Sequence, residues 1–210
     1  MPSLKPVYFF VLKVAIIYGV LLIPWPGVMT GYRVLFCAGG NTFFRTLGGD
    51  GRVYFRALEH PTRTKDIEAK VENVRTRTTG TLEKDSRMMG YLPTCFTISL
   101  IAATPIPWCR KGVALLAGVA LISMFAGLQI WLFLMEGFSS ASPLAVYTLS
   151  PFWRKAIIVL IRILYMTPVT AYIAPVIIWA LICIRREDLQ RFLPQSGFAR
   201  VSPVSQAARS

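Results

Sequence analysis

YLPTCFTISLIAATPIPWCRKGVALLAGVALISMFAGLQIWLFLM, residues 91–135, decides how this chain folds. Two apolar runs, Tyr91 to Trp108 and Gly112 to Met135, flank the tight turn Cys109-Arg110-Lys111, and no other charged residue interrupts them. Runs of this length match the ~20 residues that a bilayer-crossing helix needs, and a basic turn between them marks the cytoplasmic side. Working outward, Val7 to Pro24 (VYFFVLKVAIIYGVLLIP) is a further apolar run broken only by Lys13, and Ala156 to Ile184 is another that contains Arg162, Pro168 and Pro175. The sequence therefore predicts an all-α membrane protein with four transmembrane helices and a small outer segment.

The first run also resembles a signal peptide, but Trp25-Pro26-Gly27 follows it in place of a small-residue cleavage pattern and reads as an interfacial anchor. Residues 1–24 are then transmembrane helix 1, 25–90 an extracytoplasmic segment, and 91–184 three further helices. The last apolar stretch is longer than one crossing requires. Its lead-in, 151–164, carries Arg154, Lys155 and Arg162 and is expected to lie along the headgroups as an interfacial helix. Lys5, Arg110-Lys111 and Arg185-Arg186 fall on one side in this arrangement, which places both termini in the cytoplasm and the protein in a bacterial inner membrane.

Composition agrees with this class. Of the 210 residues 54% are hydrophobic and 16% charged, and the mean hydropathy is +0.53. A large soluble catalytic domain is excluded by these values. The 23 Lys+Arg against 10 Asp+Glu give a net charge of +13. Because the basic residues flank apolar runs, the lipid bilayer is the expected partner, together with other membrane or envelope proteins, and nucleic acid is not.

The outer segment is polar, with eleven Lys/Arg and seven Asp/Glu between Arg33 and Arg87. Tyr32 to Leu47 has a loose helical spacing of apolar residues, and Gly48-Gly49-Asp50-Gly51 ends it. Arg52-Val53-Tyr54-Phe55 and Ile67-Glu68-Ala69-Lys70-Val71 alternate, which predicts a small β hairpin or meander. Residues 185–210, rich in Ser, Ala, Pro and Gln, read as a disordered cytoplasmic tail.

Metal and cofactors are not expected, because His60 is the sole histidine and no Cys or His pair has ligand spacing. Of the four cysteines only Cys37 and Cys95 share the outer compartment, so one bridge between them is the single disulfide open to the chain. Among charged residues in apolar runs, Arg162 either snorkels from an interfacial helix or pairs with Glu136, and Gln129 is expected to hydrogen-bond another helix.

Pro105-Ile106-Pro107-Trp108-Cys109-Arg110-Lys111, followed by Gly118 and Gln129-Ile130-Trp131-Leu132-Phe133, resembles the exosortase/archaeosortase family and its small branch. These membrane-embedded enzymes are thought to cut a C-terminal sorting tail and transfer the protein to an envelope acceptor. The resemblance runs from about Val7 to Gly137. It implies a reactive cysteine near Met88 or Met89, an Asn and an Arg near Ala126 and Gln129, and a His within Glu136 to Arg154, where this chain has Tyr147, Thr148 and Ser150 but no His. A thiolate, a proton shuttle and an oxyanion donor are all missing from those places. The resemblance thus implies a non-catalytic binding or assembly partner in envelope protein sorting or polysaccharide export. The alternatives are an active cysteine peptidase or transpeptidase using Cys95 and His60, and a small transporter or channel subunit.

Overall fold

Helix α1 (Lys5–Leu22) and helix α2 (Pro26–Phe44) open the chain, and the segments Val7–Leu22 and Gly27–Phe44 meet at 84°. The computed structural model describes residues 5–23, 26–45, 50–59, 62, 65–139, 144–165 and 170–184. Strands β1 (Gly51–Ala57), β2 (Ile67–Asn73) and β3 (Thr78–Lys84) follow. They form an antiparallel meander in the order β1-β2-β3, with Val53 opposite Val71 and Ala69 opposite Leu82. A π-helical turn (Arg87–Tyr91) leads into α3 (Leu92–Ala103). Helices α4 (Trp108–Ser139), α5 (Pro151–Tyr165) and α6 (Thr170–Cys183) complete the described chain.

Local chemistry sets the boundaries. Pro105 disfavours helical backbone at Thr104, which turns to φ −69°, ψ 131° and stops α3. The α3 carbonyls left over are taken by Lys111 Nζ, which donates to Ala102 O at 3.0 Å, and by Thr104 Oγ1, which donates to Leu100 O at 2.7 Å. In β1 and β2 the alternation puts Val53, Phe55, Ile67, Ala69 and Val71 on one buried face.

That face rests on the end of α2 and the last turns of α4, where Cys37, Ile130, Leu134 and Phe138 join it in one core. The exposed edge of β1 is closed by Asn41 of α2. Its carboxamide accepts from Phe55 N at 2.7 Å and donates to Phe55 O at 3.0 Å, so a side chain supplies what a neighbouring strand would. At the other end of the bundle Phe10 of α1 stacks on Trp179 of α6, and Trp179 Nε1 donates to Thr104 Oγ1 at 2.8 Å. The start of α1, the α3–α4 turn and the end of α6 therefore share one end, opposite the sheet.

Several expectations need correction. Of the hairpin and the meander expected for the outer β element the structure has the meander, with Thr78–Lys84 as its third strand, and the fold is mostly helical rather than all-α. The outer helix begins at Pro26, before Tyr32. The run Tyr91 to Trp108 yields a 12-residue α3, because Pro105 ends it at Ala103 and Tyr91 belongs to the preceding π-helical turn. At 1.5 Å per residue that is about 18 Å, short of a bilayer core of about 30 Å. The run Ala156 to Ile184 divides into α5 and the short α6. Among the described residues one helix, α4, is long and apolar enough to cross a membrane, or two if α1 and α2 form one broken span. Residues 185–210 and His60 lie outside the described residues.

Candidate functional site

Helix α2 presents Tyr32, Phe36, Gly40 and Phe44 at four-residue spacing, and this stripe faces α4 across a cleft of about 370 Å³. The opposite wall runs along α4 from Val119 through Ser123, Ala126 and Gly127 to Ile130, about 16 Å of helix. Gly90 and Thr94 close the side nearest α3. The lining is mostly apolar, aromatic along α2 with small residues at Ser123, Ala126 and Gly127 of α4, and Ser123 Oγ is already committed to Val119 O at 2.7 Å. No Cys, His or charged side chain lines this cleft among the described residues.

The cleft keeps its shape through close approaches that only glycine permits. A Cβ on Gly40 would stand 2.6 Å from the Phe55 ring, and one on Gly90 would run into the Tyr32 hydroxyl. Tyr32 in turn packs edge-on against Tyr91, whose hydroxyl donates to Leu21 O at 2.7 Å and ties the π-helical turn to α1. Gly90→Ala is expected to cost about 1–3 kcal/mol by overpacking. Removing the obstructing oxygen with Tyr32→Phe should restore most of that loss, as read by urea denaturation of both variants in detergent. Equal losses in the presence and absence of the Tyr32 hydroxyl would refute this geometry.

The residues singled out in the sequence are scattered. Cys95 is buried on α3 beside Tyr91 and does not itself line the cleft, and its backbone oxygen accepts from Ser99 Oγ at 2.7 Å. All four cysteines are free thiols, so Cys37 and Cys95 form no bridge. Among the described residues no group of three or more His, Cys, Asp or Glu is placed to hold a metal ion. Gln129 points out of the cleft, and its Nε2 donates to Leu164 O at 3.2 Å, capping a terminal carbonyl of α5. Glu136 shares a small recess with Arg154 and Ile158. The ion pairs among the described residues are Arg56–Glu59 and Lys65–Glu83, so the structure does not join Glu136 to Arg162.

Of the places that the exosortase resemblance assigned to reactive groups, Met89 is buried in the core beneath the sheet, while its neighbour Gly90 and Ala126 both line the cleft. Sequence reasoning missed the α2 wall. Its signal was the glycine pair Gly39-Gly40 on an apolar helical stripe, opposite the small residues Ala126-Gly127.

Where the sheet meets α4, burial shifts two charges. It pushes the Lys84 ammonium down, an effect opposed by Glu136, and Lys84 Nζ lies 3.9 Å from the centre of the Phe133 ring. Burial also pushes the Asp85 carboxyl above 3.8, against the pull of the Arg87 backbone N–H. An acid whose folded pKa is raised binds more protons folded than unfolded in the window above 3.8, so its contribution to stability falls as pH rises through that window. Asp85→Asn should remove this component, which a pH series of denaturation midpoints would show as a more positive slope of midpoint against pH in that window.

Among the described residues the chain is mostly helical, with a three-stranded sheet at one end and one helix, or two counting the bent α1–α2 pair, long and apolar enough to cross a membrane. No family model, no curated protein and no solved structure matches it.

Proposed function

We propose that this chain is a multi-pass plasma-membrane protein on an exosortase-like scaffold that binds a membrane-embedded partner, in protein sorting or polysaccharide export, without cutting it. The observation that carries the reading is the cleft between α2 and α4. Of the places that the resemblance gives to reactive groups, near Met88 or Met89 and near Ala126 and Gln129, Ala126 lines its wall and Met89 immediately precedes Gly90, which also lines it. Thioether and methyl provide apolar contact and no nucleophile or proton carrier.

Two further features support membrane residence. Val113, Leu116 and Met124 on α4 are 69%, 76% and 71% exposed, and Val7, Phe9 and Val11 on α1 likewise face outward, an apolar belt that water would penalise and lipid would not. Helix α4 is about 48 Å long, enough to cross a bilayer of about 40–45 Å and carry the sheet beyond it. In this reading α1, α3, α4 and α6 make four crossings, the short ones sheltered against α4. The end bearing Arg110-Lys111 faces the cytoplasm and the sheet lies outside.

Function in the native host tests this. Gly127 lines the cleft and a Cβ there meets nothing within 4 Å, so the side chain of Gly127→Leu starts in open space at the cleft wall. Gly127→Leu is expected to abolish function while Cys95→Ser leaves it intact. A dead Cys95→Ser variant with an active Gly127→Leu would replace the binding reading with catalysis. For topology, an impermeant thiol reagent added from outside should label Arg75→Cys, in the exposed β2–β3 turn, and leave Cys109 unlabelled.

A further inference from the structure

Helix α5 has three faces. At 3.6 residues per turn, Ile157, Ile161 and Leu164 share the half-buried side toward the protein. Arg154, Lys155 and Arg162 share a second, exposed side. Phe152 and Val159 occupy a third, with Trp153 and Leu160 between it and the protein, and these four are 73%, 55%, 60% and 41% exposed. The helix is held at this depth by Gln129 of α4, whose side chain caps Leu164 O.

Both outward faces need cover of different kinds. The apolar face asks for hydrocarbon, whereas the basic face asks for anions. Neither Lys155 nor Arg162 forms an ion pair among the described residues, and the nearest acid at the helix, Glu136, sits with Arg154 in its recess. An acidic protein segment would satisfy the cations and leave Phe152 and Val159 in water. An anionic phospholipid covers both faces at once, its phosphate on the cations and its chains under the aromatic side.

We propose that α5 is a binding helix for anionic phospholipid on the sheet side of the membrane, with Arg154, Lys155 and Arg162 holding the headgroups and Phe152 and Trp153 seated in the chains. This rests on the membrane reading above, and it adds a lipid class that the cleft does not involve. Arg162 is thereby a headgroup ligand, not a buried partner of Glu136.

The full chain and its Trp153→Phe variant are reconstituted in vesicles holding equal fractions of brominated phosphatidylglycerol or brominated phosphatidylcholine. The difference between the two chains isolates quenching of Trp153. Greater quenching by the brominated phosphatidylglycerol is expected, and Arg154→Gln/Lys155→Gln/Arg162→Gln should bring the two lipids level, each cation being worth about fivefold in preference. Equal quenching of unaltered Trp153 by both lipids overturns the proposal and leaves the membrane reading standing. So does an unquenched Trp153 beside quenched tryptophans elsewhere in the chain. If no tryptophan is quenched by either lipid, the membrane reading itself falls, and the proposal with it.

Discussion

Phe138→Ala is expected to lower stability by about 3–5 kcal/mol, the range for deleting a large buried aromatic ring. Phe138 is fully buried at the end of α4, in the core shared with Val53, Ile67 and Val71 of the sheet. Its carbonyl accepts from Val146 N at 2.9 Å, so the same residue also holds down the chain beyond α4. The ring fits because Gly51 offers no side chain: a Cβ there would stand 3.1 Å from the ring tip. Gly51→Ala should therefore be costly in the unaltered chain and close to neutral once Phe138 is alanine. Denaturation midpoints of the two single variants and the double variant measure this coupling, and strict additivity would mean that Phe138 does not join the sheet to α4 as described.

The second large effect is expected at Asp66, which stitches the sheet to the π-helical turn. Asp66 is 5% exposed, and its carboxylate accepts from Ser86 N at 2.7 Å and from Ser86 Oγ at 2.6 Å. Its backbone N–H donates to Lys84 O and its carbonyl accepts from Leu58 N, both at 3.0 Å, so one residue gathers the ends of β1 and β3. Asp66→Ala strands an amide and a hydroxyl at a position without solvent. At about 1–3 kcal/mol for each unsatisfied buried group, a loss of about 2–6 kcal/mol follows. Asp66→Asn keeps an acceptor for Ser86 N, and Ser86 Oγ can rotate to accept from the new amide, so it should cost well under half as much. Ser86→Ala removes the hydroxyl alone and belongs with Asp66→Asn. Equal losses for Asp66→Ala and Asp66→Asn would show that the hydrogen bonds are not what holds the turn.

Much of the architecture could be read along the chain, because hydropathy and alternation are local sums. The strict alternation of Ile67 to Val71 marks β2, and that of Arg52 to Phe55 marks β1. Strand β3 was harder to see. Thr78–Lys84 is an edge strand with a half-buried face built from Thr, Gly and Leu, so its pattern carries little apolar contrast. Apolar length led to an overestimate at residues 91–108, where α3 stops at Ala103, before Pro105. Similarly, Arg154, Lys155 and Arg162 marked α5 as amphipathic, while only packing showed which side meets α4.

The cleft was invisible in one dimension. Its walls come from Tyr32 and Phe36, from Gly90, and from Ala126 and Gly127, residues far apart in sequence with no shared motif. Gln129 had the right expectation, a hydrogen bond to another helix, but its partner, Leu164 O, is a backbone group that no side-chain pattern reveals. By itself the amino-acid sequence determined which segments are apolar enough to leave water, which alternate and where basic turns fall, since each of these depends on neighbours in the chain. The tertiary structure alone decided that α2 turns 84° from α1, that Asn41 closes the edge of β1 and that a cleft opens beside Gly90. Those outcomes depend on which distant surfaces meet, and steric fit between such surfaces is a property of pairs that no local pattern encodes.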